Sequence, residues 1–264
     1  MRCWLASPAV FGPGLPGWAA SAPILAGEQP WVMAEALPPT PALLAPGDRR
    51  RAGVTVRFAL AAAAEATAAE PDRAALETVF ASGNGDGAVV CSILDALHAP
   101  DVAVSPTLFH NSVHNAAAGY WHIAVGSTLP SVSLGGHDGA FAAGLLAAMG
   151  NVATRGRAVL LCAYDTPLPA PLGAVRATAF PFATACLLRP GPEGALAVLE
   201  LRYVAEPLPP GPSAEELEGL DALALGNPAA RALPLLRALA ARRAALVRLP
   251  LLADAHLELR VSPC

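Results

Sequence analysis

The segment from Pro130 to Gly144, Pro-Ser-Val-Ser-Leu-Gly-Gly-His-Asp-Gly-Ala-Phe-Ala-Ala-Gly, constrains the fold more than any other part of the chain. It reads as a short strand, Ser131, Val132, Ser133 and Leu134, that breaks at Gly135-Gly136 and runs straight into a helix of small residues. A strand that becomes a helix over so few residues needs a sharp elbow, and paired glycines supply the backbone freedom for one. The elbow holds Asp138, with His137 before it. Unpaired N–H groups and the positive end of the dipole favour a negative charge at a helix N-terminus, and an Asp there is most simply an N-cap.

The chain has 264 residues, 54% of them apolar and 14% charged, enough to bury a sizeable core as one large or two small domains. A net charge of -4 and a pI near 5.8 argue against nucleic acid as a partner, because phosphate binding relies on a basic surface. Every basic residue other than histidine is an arginine. Cys3, Cys91, Cys162, Cys186 and Cys264 show no CxxC spacing and read as reduced thiols of a cytoplasmic protein, with Cys91 and Cys162 inside elements expected to be buried. The apolar stretch from Trp4 to Trp18 is interrupted by prolines and glycines, which makes it a poor leader peptide. No run reaches the roughly 20 unbroken apolar residues of a membrane span.

Strands are expected at Trp4–Phe11, Thr78–Ser82, Ser131–Leu134 and Ala158–Tyr164, with a further pair at Ala183–Leu188 and Ala195–Tyr203. Helices are expected from Asp48 to about Ala69, Asp86 to Leu97, Asn115 to Val125, Ser213 to about Leu225 behind a Ser213/Glu216 capping box, and Asn227 through Val247. Val102–Phe109 reads as extended. Strands separated by helices of this length imply a layered α/β sheet with helices on its faces. After the proline-rich stretch Pro207–Pro212 the composition changes, so residues 1–207 form the expected main domain and 213–264 a helical extension packed on it. The last helix carries Arg231, Arg237, Arg242 and Arg243, with Arg248 just beyond, beside a leucine stripe, the pattern of a solvated face over a core.

The elbow, together with Ser105-Pro106, the run Asn111 to Tyr120, and the proline-then-arginines entry Pro46 to Arg51, resembles the N-terminal half of β-ketoacyl synthases, and among them the short chain length factors of bacterial aryl polyene clusters. The resemblance runs from about Leu44 to Leu201 and is densest between Ser105 and Pro167. It implies a thiolase-like layered αβαβα fold, N-terminal half only, with the extra C-terminal helices beyond it. In that family the elbow carries the cysteine that takes the acyl chain as a thioester; a helix N-terminus suits it because the local field lowers the thiol pKa. Here that position is Asp138, a poor nucleophile, and the chain stops before the half that supplies the family's two histidines. The resemblance therefore implies a non-catalytic partner, with no cofactor or metal of its own. This partner pairs with a full-length synthase, meets acyl carrier protein through the complex, and shapes the acyl tunnel in polyene, polyketide or fatty-acid-like elongation. Ser131–Leu134 would pair across the two-fold axis, near His137 and Asp138. Phe109, Ser112, Val113 and Ala116, in the segment Thr107–Tyr120, would face the tunnel.

Two independent enzymes compete with this reading. Gly83-x-Gly85-x-x-Ala88 between a strand and a helix, with Asp101 downstream, fits the relaxed dinucleotide fingerprint of a nucleotide-dependent reductase, although Asp86 would face the pyrophosphate. His110 and His114, four residues apart, with Asp138 would make a metal site or hydrolase. No Gly-x-Ser-x-Gly elbow supports the hydrolase, since Ser131 and Ser133 lie inside the strand.

Overall fold

A computed structural model describes residues 1–99, 102–210 and 217–264. In chain order these form β1 (Arg2–Gly12), β2 (Leu15–Pro16), α1 (Trp18–Ala26), α2 (Pro46–Arg51), α3 (Val54–Ala66), β3 (Glu77–Ala81), α4 (Gly87–His98), α5 (Pro106–Ser112) and α6 (Ala116–Val125). There follow β4 (Ser131–Leu134), α7 (Ala140–Arg155), β5 (Val159–Asp165), α8 (Leu172–Val175), β6 (Phe182–Arg189), β7 (Ala197–Val204), α9 (Gly219–Gly226), α10 (Leu233–Ala240), β8 (Ala245–Leu252) and β9 (Ala255–Pro263).

One mixed sheet organises the chain, in the order β4-β3-β5-β6-β1-β7-β9-β8, with β2 paired to β1. Strands β4, β3 and β5 are parallel, and every residue of β3 and β5 is buried, as expected of parallel strands covered on both faces. Period-two alternation divides their side chains between two cores. Val159, Leu161 and Ala163 belong to the core under α7, whereas Leu160, Cys162 and Tyr164 belong to the core under α3. Trp121, Phe58, Phe80 and Phe141 are fully buried, each worth about 1.5–3 kcal/mol of burial. Helix α7 can lie this close to the sheet because position 144 is glycine: a Cβ there would come within 2.8 Å of the Ala81 Cβ and 3.0 Å of the Leu161 Cδ1.

Several elements depart from expectation. The helix expected from Asp48 to Ala69 is broken at Ala52-Gly53; Pro46 at its first turn starts α2, so Asp48 lies inside that helix rather than capping it. Pro106 likewise starts α5 within the stretch read as extended. The strands β6 and β7 form, but β1 lies between them instead of leaving them paired. The capping box Ser213/Glu216 and Asp101 lie outside the described residues.

The largest correction concerns the C-terminus. The helix expected through Val247 ends at Ala240, and the last residues form an antiparallel β8–β9 hairpin that extends the main sheet through β7. The expected helical extension is thus partly sheet. The reason is local: Leu246, Val247, Arg248 and Leu249 alternate exposed and buried at period two, which a strand satisfies and a helix does not. The sheet then curls round α7, bringing β8 against that helix and against the elbow.

Candidate functional site

The elbow lies where three parallel strands end. The carboxyl ends of β3, β4 and β5 deliver Ser82, Gly135 and Asp165 to one side of the sheet. Gly136 is required sterically, since a Cβ on it would meet the Ala140 Cα at 2.8 Å. The chain then makes one 3-10 turn, His137–Gly139, with His137 in the left-handed region at φ 50°, before α7 begins. Non-glycine residues are uncommon there.

Asp138 does not cap α7; the helix start carries no side-chain cap, and the expected N-cap role is replaced by an ion pair. Its Oδ1 accepts from Arg176 Nη1 at 2.8 Å, and His137 Nδ1 lies 3.7 Å from Oδ2. Arg176 Nε donates to Asn84 Oδ1 at 3.0 Å. Asn84 in turn donates its Nδ2 to Thr178 Oγ1 (2.8 Å) and its backbone N–H to Asp165 Oδ1 (2.9 Å). Asp165 also accepts from Ser82 Oγ at 2.8 Å and the Gly83 N–H at 3.0 Å. Asn227 closes the network from the C-terminal side, donating to the carbonyls of Asp165 and Phe180. Arg231 is a second cation within electrostatic reach of Asp138 but not paired with it, and its burial depresses its own pKa.

Asp165 is the buried anchor of this network. Burial drives its carboxyl up from 3.8 to about 6, against the opposing pull of the Gly83, Ser82 and Asn84 donors and of Arg176. The sequence offered one signal for it, an acidic residue ending an otherwise apolar strand. Arg176 and Thr178 carried no motif and were missed, whereas Arg231, expected on a solvated arginine face, is half-buried beside the site.

The same contacts bear on the reductase reading. The amides of the Gly83-x-Gly85 loop that would cradle a pyrophosphate point at protein acceptors: Gly83 and Asn84 at Asp165, and Gly85 at Ser82 Oγ (2.8 Å). Asp86 accepts from the Val89 N–H and so occupies the start of α4 with a negative charge. Ala88 is exposed on the first turn of that helix. The hydrolase reading fares no better. His110 packs edge-on to Tyr120, with ring centroids 5.7 Å apart, and His114 lines a small cavity beside Gly85 and Asp86. Among the described residues no three His, Cys, Asp or Glu side chains gather as a metal site. The Cys162 thiol is buried and pushed far up by desolvation, whereas Cys91, expected to be buried, is half-buried on α4.

The residues expected at a tunnel separate into two groups. Val113 and Ala116 line one cavity with Thr55, Asn111 and Tyr164, but its volume is about 10 Å³, far too small for an acyl chain. Phe109 is 67% exposed, and Ser112 donates to the Phe109 carbonyl. Larger apolar hollows of about 620 and 760 Å³ flank the segment 30–39, the first lined by Phe11, Leu15 and Phe58, the second by Trp31, Phe180 and Leu223.

Strand β4 ends the sheet. It pairs with β3 through Ser131–Leu134 and, among the described residues, leaves its other edge free, with Ser131 and Val132 exposed and Ser133 and Leu134 half-buried. Thr78 Oγ1 donates to Ser131 Oγ at 2.7 Å, fixing the strand's start. Among the described residues no helix is long and apolar enough to cross a membrane.

Comparison with known proteins follows this geometry. In solved structures the fold matches a chain of the ketosynthase (ApeO)–chain length factor (ApeC) complex from Xenorhabdus doucetiae, with TM-score 0.72, 19% identity, and 98% of this chain and 99% of that one covered. A chain of the ishigamide ketosynthase/chain length factor matches with TM-score 0.72 and 17% identity, covering 100% and 99%. Ketosynthase twelve of the bacillaene polyketide synthase of Bacillus amyloliquefaciens is matched over 81% of this chain but 47% of its own length, with TM-score 0.56 and 10% identity. No curated protein sequence matches. The model of the β-ketoacyl synthase N-terminal domain matches residues 25–223, three quarters of the chain, and the protein therefore belongs to that family.

Proposed function

We propose that this protein is a chain length factor: a non-catalytic subunit that pairs with a full-length β-ketoacyl synthase and shapes the space into which the acyl chain grows, in polyene or related polyketide elongation. The observation that carries this reading is Asp138. It stands where the resemblance puts the family's acyl-accepting cysteine, and it is engaged by Arg176 rather than free to react. A carboxylate in that ion pair is a poor acyl carrier. Support comes also from the free edge of β4, and from exposed apolar side chains on the neighbouring helices: Phe109 and Val113 at α5, and Ile123 on α6. Val113 and Ala116 would belong to a tunnel wall that a second subunit completes. Acyl carrier protein would reach the site through the complex.

Co-expression with a full-length ketosynthase of the same genome tests the proposal. The expected result is a 1:1 heterodimer that condenses malonyl and acyl carriers, with this subunit inactive alone. A ketosynthase equally active, with equal products, in its absence refutes it.

A further inference from the structure

We propose that Asp138 and Arg176 are positioning residues: their ion pair holds the elbow so that the free edge of β4 is presented for pairing with another chain. This deepens the chain length factor reading and rests on it for the identity of the partner. Strand β4 has four residues and, among the described residues, pairs with β3 alone, so one side of it lacks ladder hydrogen bonds. Its exit is softened by Gly135-Gly136 and loaded by the left-handed His137, so the backbone there needs an external constraint. Among the described residues, the Asp138–Arg176 pair is the one ion pair that links the elbow to the rest of the fold; the contact of His137 stays within the elbow.

The far end of that link is rigid. Arg176 spans two acceptors, Asp138 and Asn84, and Asn84 is fixed by Thr178 and by the buried Asp165. A planar guanidinium holds both bonds in one rigid fork, whereas an ammonium is a point charge on a flexible stem with no such preset geometry. Arg176 is also only 19% exposed in its side chain, and among the described residues its Nη2 is buried without an acceptor, so the bonds to Asp138 and Asn84 are what compensate its burial. Asp138 is 50% exposed in its side chain. Its loss should loosen the elbow and the β4 edge more than the fold.

The test uses the full chain with Asp138→Ala, Arg176→Lys and the reversed pair Asp138→Arg/Arg176→Asp. Three quantities are read: affinity for the partner ketosynthase, hydrogen exchange at Ser131–Leu134, and exchange at Val159–Asp165 in the sheet centre. With the loss of a hydrogen bond to a charged group as the scale, Asp138→Ala is expected to weaken partner binding and speed β4 exchange by about tenfold each, leaving β5 unchanged. Arg176→Lys falls between, and the reversed pair restores part of both. Unchanged β4 exchange in all variants overturns the inference, as does exchange that rises equally in β4 and β5, which marks a merely structural role. If the wild-type chain binds no ketosynthase, the functional reading fails by itself, and the β4 exchange still decides the role of the ion pair.

Discussion

The buried Asp165 carboxyl makes the stability of this protein depend on pH in an unusual direction. The perturbation is a titration from pH 4 to 7 on the wild type and on Asp165→Asn, which removes the ionisable group while keeping its shape. In the folded state the carboxyl ionises near 6 rather than 3.8, because burial opposes the charge more strongly than its donors favour it. The native chain therefore holds this proton more tightly than the unfolded chain does. Stability from the protonated form is fully present below about pH 4 and is lost as pH rises through 6. A shift of about two units corresponds to about 3 kcal/mol, of which about 2 kcal/mol falls between pH 4 and 7. With Asp165 only 1% exposed, solvent screening takes little from that figure. Urea unfolding of both proteins at half-unit intervals reads the effect as a difference, which cancels other titrating groups such as Glu65. The gap between wild type and variant should move by about 2 kcal/mol across the window, the wild type losing ground as pH rises. Parallel profiles would refute the reasoning and mean that Ser82, Gly83 and Asn84 already compensate the charge in full.

Two further outcomes follow from the geometry. Gly139→Ala places a Cβ within 2.6 Å of the Leu251 carbonyl oxygen, a backbone atom that cannot swing aside, so it should cost about 1–3 kcal/mol in urea unfolding and loosen the β8–β9 hairpin; an unchanged midpoint would mean that β8 does not press on the elbow. Ala116→Trp is far too large for the small cavity beside Val113, so its ring must project from the half-buried position 116 and should shorten the products made with the partner synthase, read by mass spectrometry of the released chains, whereas unchanged products would remove Ala116 from the tunnel wall.

Much of the central sheet was legible in the sequence because its signals are local. Val159–Tyr164 and the shorter Val79–Ala81 are apolar runs that end at polar or turn residues, and Gly135-Gly136 marks the break between Ser131–Leu134 and α7. The position of β1 between β6 and β7 was not legible, since pairing of strands nearly 180 residues apart leaves no trace in either strand's own pattern. The C-terminal hairpin was misread for a different reason. Leu235, Leu236 and Leu239 have true helical spacing, and extending that period past Ala240 hid the alternation that begins at Ala245. At the site, the elbow and Asp138 were visible from the motif. Arg176, which determines what Asp138 does, sits in an irregular turn 38 residues later and becomes significant only once the β5–β6 connection folds back over β3.

The most direct test of a fold kept without its nucleophile is intact-mass analysis of the purified heterodimer after incubation with acyl-loaded carrier protein. The expected spectrum shows the acyl group on the ketosynthase and an unmodified mass for this chain. A covalent acyl adduct on this chain, at Asp138 or elsewhere, would contradict it.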